Sequence, residues 1–174
     1  MEFSLSKSLE ILQRTPVVLS ALLENLSEEW AMNNEGPETW SAFDIIGHLV
    51  HGEQTDWIER TEIILSDDPD KRFKPFDRFA QYEDSKGKTL NQLLTEFSSL
   101  RKKNIDIILS KNLRESDFDK KGVHPKFGEV TLGQLLATWA VHDLNHLAQI
   151  SRVMANQYEA EVGPWKEYLR ILQS

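Results

Sequence analysis

Apolar residues recur at three- and four-residue spacing in four stretches of this chain, and each stretch opens on a residue suited to capping a helix. In RTPVVLSALLENL, Thr15 followed by Pro16 predicts a helix start, because proline at the first helical position gives up an amide that has no helical partner there. Residues 4–13 are expected to form a separate turn or short helix ahead of it. WSAFDIIGHLV opens on Ser41, and Asp44 three residues on can reach back to close a capping box, so a helix is predicted from there to about Leu65. Thr89 with Gln92, and Thr131 with Gln134, predict the same box at the start of two further helices. A last segment, GPWKEYLRIL, predicts a short helix with Pro164 in its first turn.

Between these stretches lie turn-forming runs: NNEGPETW, SDDPDKRFKPFDRFAQYEDSKGK and GVHPKFGEV. No alternating strand pattern stands out in them. Four amphipathic helices without a sheet predict an all-α protein, an antiparallel four-helix bundle spanning residues 1–174 as a single domain. The connection from Ser66 to Lys88 is long for a compact bundle and is expected to act as a crossover or lid, with Phe73, Phe76 and Phe79 packing onto the helices.

Composition narrows the function classes. The formal net charge is −8 with acids and bases interspersed, which argues against nucleic acid as a partner, since phosphate neutralisation needs a basic stripe. With no cysteine, the chain offers no disulfide, thiolate ligand or thiol nucleophile of its own. No stretch approaches the roughly 20 apolar residues of a membrane span and no signal-peptide pattern opens the chain, so a cytoplasmic protein without a membrane partner is expected.

The chemistry-bearing stretch is WAVHDLNHLAQI, in which His142 and His146 stand four apart in an apolar run. At about 100° per residue, Leu132, Leu136, Trp139, Leu147, Ile150 and Met154 share a face that also contains His146 and Asp143, with His142 at its edge. Polar groups aimed at a core need partners. Two readings compete: histidines hydrogen-bonded across the bundle, or two neutral imidazoles one turn apart binding one cation, which then needs a third ligand. Asp143 directly after the first histidine is not the glutamate of the zinc-protease motif, and nothing downstream completes that signature. The third ligand could be His48 or His51 in the second helix, or His124, which reads plainly as an exposed loop histidine. The helical wheel does not decide between the first two. Glu53 falls on the apolar arc of its helix and needs a partner; Asp143, Glu53, Gln149 and Asp44 are the candidates for closing or orienting the ligand shell.

RTPVVLSALL, WSAFDIIGHLVHGE, PFDRFAQY, GEVTLGQLLATWAVHDLNHLAQI and VGPWKEYL together resemble the DinB-like superfamily of four-helix bundles. The pieces WS…GHL and HDLNHLAQI are the specific ones. The resemblance implies a divalent metal, nickel or zinc, held by His48, His142 and His146, and often a homodimer. It also implies a small-molecule substrate: characterised members include thiol S-transferases that use bacillithiol or mycothiol, a thiol-dependent isomerase and members proposed as hydrolases. A metal-dependent transferase joining a low-molecular-weight thiol to a small electrophile is therefore the leading expectation. A hydrolase and a non-catalytic bundle are the alternatives, and no catalytic side chain is assigned.

Overall fold

The computed structural model describes residues 1–173. Four long helical units form the bundle: α1 (Leu5–Leu23), α3 (Ala42–Thr55) continued by α4 (Trp57–Leu65), α6 (Leu90–Ser110) and α7 (Leu132–Asn156). Two short helices, α2 (Glu28–Met32) and α5 (Ala80–Asp84), lie in the connections around α3. Helix α1 packs on α6 and α7, and α3 packs on the same two, so α1 and α3, consecutive long helices, face each other across the diagonal of the square. No described helix is long and apolar enough to cross a membrane.

All three expected capping boxes form. Ser41 and Asp44, Thr89 and Gln92, and Thr131 and Gln134 each exchange side-chain and backbone hydrogen bonds, which satisfies amides that the first helical turn leaves bare. The predicted start at Thr15 is not observed. Helix α1 runs through it from Leu5, with Pro16 in its interior. A proline there removes the hydrogen bond to the carbonyl four residues back, that of Leu12. The guanidinium of Arg101, from α6, donates to that carbonyl at 2.8 Å and takes the place of the missing amide.

The second predicted helix is also not continuous. Its backbone kinks at Asp56 (φ −116°, ψ −69°), and Trp57 on the far side of the kink stacks on Trp139 of α7 at 5.7 Å between ring centroids. Where only a loop was expected, GVHPKFGEV carries an antiparallel hairpin of β1 (Lys121–His124) and β2 (Gly128–Thr131). Residues of the long connection brace it: Val123 accepts from the amide of Phe73 and donates to Lys71, both at 2.9 Å. Gly122 is required by this contact, since a Cβ there would lie 2.5 Å from the Phe73 ring and 2.8 Å from Ile64. Of the three phenylalanines expected to pack onto the bundle, Phe73 is buried and Phe76 lies over His48 and His51. Phe79 is 67% exposed, against Tyr82 rather than the core. The segment Gly163–Tyr168 is helical as expected, in tight 3₁₀ form with Pro164 at its start.

The apolar core falls into two clusters. One includes Leu12, Trp57, Ile105, Leu132, Leu136 and Trp139; the other includes Leu19, Ile45, Leu49, Phe97, Ile150 and Val153. Near the junction of the two sets α3, α6 and α7 carry polar residues that are buried or half-buried: His48 and Glu53, Arg101 and Asn104, His142, Asp143 and His146. The bundle thus carries a polar layer through its middle, and the functional residues lie in it.

Candidate metal centre

Helices α3 and α7 bring His48, His142 and His146 together, with one ligand atom from each within 4.8 Å of the others. Among the described residues they are the one group of three or more His, Asp or Glu side chains so placed. His48 Nε2 and His146 Nε2 each lie 3.1 Å from His142 Nε2. A ring nitrogen has one in-plane lone pair or one N–H, so His142 cannot make two well-directed hydrogen bonds from a single atom. The arrangement instead suits a cation. Two imidazole nitrogens on a tetrahedral zinc, at the usual Zn–N bond length, stand roughly 3.3 Å apart.

The protonation states agree with that fit. Burial pushes the His48 ring down to about 3, reinforced by the charges of His146, His51 and Arg78. Burial likewise pushes His142 down to about 2, with His146, His48 and Arg101 adding to it, and lowers His146. The three rings are therefore neutral near pH 7, the form that ligates metal. Gln149, one turn beyond His146, fixes one tautomer: His146 Nδ1 donates to Gln149 Oε1 at 2.8 Å, which leaves the Nε2 lone pair facing its neighbours. Rings hold the others in place. Trp40 and Phe76 flank His48 at 4.9 and 5.4 Å between centroids, and Trp57 meets His142 edge-on at 5.2 Å.

The remaining candidates have other employment. His51 is as buried as His48, but its Nδ1 turns to the Asp84 carboxylate of α5 at 2.9 Å. Asp44 closes the cap at Ser41. His124 is half-buried in the hairpin turn rather than exposed, its Nδ1 accepting from the amides of Lys126 and Phe127. Glu53 and Asp143 belong to a separate network centred on Arg101, which is 1% exposed. Its guanidinium grips Asp143 through two hydrogen bonds of 2.6 and 2.9 Å and Glu53 through two of 2.9 and 3.1 Å. Trp139 Nε1 and Asn104 Nδ2 also donate to the Glu53 carboxylate, at 2.9 and 3.0 Å. Burial raises the Glu53 pKa, yet all four contacts bring N–H donors, which only the ionised carboxylate can accept throughout. Arg101 was missed by the sequence reading, where RKKN passes for a solvated charge run. The available signal was its spacing with Phe97, Ile105 and Ile108 on one face of α6.

Two cavities meet at the triad. One, of about 250 Å³, lies between α4, the hairpin and α7 and reaches His48 and His142. The other, of about 940 Å³, runs along Trp40, Arg78, Tyr82 and Arg152 and reaches all three histidines. Phe76 borders both.

A sequence profile of the DinB superfamily matches residues 11–150, most of the chain. The chain belongs to the DinB superfamily. Among solved structures it is similar to YfiT from Bacillus subtilis, described as a probable metal-dependent hydrolase with an unusual four-helix bundle topology. The TM-score is 0.72 at 19% identity, over 88% of this chain and 86% of that one. At that identity the likeness is one of fold. No curated protein matches the chain. Membership fits the residues on which the family resemblance rests, since GHL and HDLNHLAQI supply the three rings that converge.

Proposed function

We propose that this DinB superfamily protein is a metal-dependent enzyme that joins a small electrophilic substrate to a low-molecular-weight thiol, with His48, His142 and His146 holding a divalent cation, zinc or nickel. The observation that carries this reading is the convergence of three neutral imidazole nitrogens where two cavities meet. A closed structural site would have no need of either opening. When bound, the cation supplies Lewis acidity and lowers the pKa of a coordinated water or thiol toward neutrality.

The chain's own residues do the rest. The three Nε2 atoms provide uncharged ligands, so the cation keeps its full charge, and Gln149 holds His146 in the ligating tautomer. Trp40, Trp57 and Phe76 pack around the rings and exclude water from their flanks. A transfer has two reactants, and two cavities share His48 and His142 in their walls. The chain has no cysteine, so the thiol comes from outside. As the carbon–sulfur bond forms, the leaving group departs with its electron pair, and the larger, polar cavity gives the thiol proton a path to solvent.

Hydrolysis, with water as the nucleophile, is the second reading, favoured by the description of YfiT. Zinc- and nickel-loaded protein should be assayed with a panel of small thiols against 1-chloro-2,4-dinitrobenzene, and separately with 4-nitrophenyl esters. Thiol-dependent turnover that chelation abolishes is the expected result. Ester cleavage without thiol dependence would replace transfer by hydrolysis, and no metal-dependent turnover in either assay would contradict an enzymatic role.

A further inference from the structure

The two cavities differ in chemistry, and the smaller one defines a class of ligand. Its walls are Trp57, Phe73, Phe76, Phe127, Val130 and Leu135, with His48 and His142 at its inner end. The polar side chains that reach it are engaged within the protein. Asp56 is paired to Arg60 at 2.6 Å, and the Arg60 guanidinium lies over Phe73. His124 Nδ1 serves the hairpin turn, Gln134 Oε1 accepts from the Thr131 amide, and the Thr138 hydroxyl donates to the Gln134 carbonyl. A charged ligand would thus meet no free counter-charge there, whereas an apolar one meets aromatic faces and edges. The triad adds a polar anchor to this wall through His48 and His142. A volume of about 250 Å³ is larger than the roughly 150 Å³ of an engineered cavity that takes up benzene, so a bicyclic ring fits.

Two backbone features keep this chamber open. Gly122 lets the Phe73 ring form one wall, as described above. Gly52 on α3 faces the chamber, and a Cβ placed there would meet only Trp57 Nε1, at an ordinary contact distance of 3.5 Å. The glycine therefore leaves space that a larger side chain would fill.

We infer that this chamber is the subsite for an uncharged aromatic or branched aliphatic group of the substrate, which it seats with a polar reacting atom turned toward His48 and His142. The inference builds on the enzymatic reading of the triad, but the chamber can be tested apart from it. The probe is 2-naphthol, with 2-naphthalenesulfonate as its charged counterpart, titrated against metal-free and zinc-loaded protein and followed by the indole NMR signal of Trp57. Saturable binding of 2-naphthol is expected, at least tenfold tighter than the sulfonate. Gly52→Leu and Val130→Phe, which fill the chamber from two different walls, should each weaken it at least tenfold while zinc content stays unchanged. Equal binding of the sulfonate, equal binding to wild type and both variants, or no binding of 2-naphthol would overturn the subsite. If 2-naphthol binds and Gly52→Leu blocks it in a protein that holds no zinc, the subsite stands and the metal-enzyme reading falls. If zinc is held and 2-naphthol does not bind, the reverse follows.

Discussion

Two buried polar clusters occupy the same layer of this bundle, and they are built on opposite principles. Around Arg101, each carboxylate oxygen of Glu53 and Asp143 meets an N–H donor, and the guanidinium also serves a backbone carbonyl. Around His142, three ring nitrogens point at one another with too few protons to share. The clusters are neighbours in sequence, since His142 adjoins Asp143 and Glu53 follows His48 by little more than a turn. The first is closed and complete within the chain, so it belongs to folding. The second is left incomplete within the chain, and under the proposed function a cation completes it. The separation matters because a buried charged network is costly to break, whereas a ligand set can be altered with little harm to the fold.

Arg101→Met should therefore have the largest effect on stability. It leaves Glu53 and Asp143 buried without their cation and frees the Leu12 carbonyl opposite Pro16. A loss of about 3–5 kcal/mol in urea unfolding is expected. A loss below 1 kcal/mol would mean that the network is not closed in the way described.

The triad should instead betray itself through pH. In metal-free protein, unfolding lets His48 and His142 take up protons near their ordinary pKa of 6.5, while the folded rings resist to about 3 and about 2. Stability is then fully present above pH 6.5 and falls as pH is lowered toward 3. Each histidine contributes a slope of up to about 1.4 kcal/mol per pH unit. His142→Gln should remove about one proton from that slope, and an unchanged slope would show that His142 is not held neutral.

Smaller effects separate the clusters further. Gln149→Ala removes the acceptor that sets the His146 tautomer, and a tenfold to hundredfold loss of zinc affinity is expected by calorimetric titration, with the urea midpoint almost unmoved. His51→Ala should leave zinc affinity unchanged, because the ring faces Asp84 rather than the triad, although loss of a buried ring lowers the urea midpoint. A large loss of zinc in that variant would put His51, not His48, among the ligands.

What could be read from the sequence was what is local. The capping boxes at Ser41, Thr89 and Thr131 need only four consecutive residues, and a helical wheel suffices to bury Asp143 and His146. Features that depend on distant partners were illegible. Pro16 read as a helix start because its compensation comes from Arg101 on another helix. The hairpin went unseen because its four-residue strands are braced by Lys71 and Phe73 rather than by an alternating pattern of their own. The wheel could not choose between His48 and His51 because both are buried, at 8% and 7% exposed. What distinguishes them is the ring or carboxylate each one faces, on α7 or on α5. The family resemblance named His48, and the geometry gives the physical difference.

The central claim is that the triad is a ligand set and the Arg101 network is not. It is tested most directly by zinc titration of wild-type protein beside His142→Ala, with folding checked by circular dichroism. About one zinc per wild-type chain, lost in a variant that remains helical, is the predicted result. Full zinc retention by folded His142→Ala protein would contradict it.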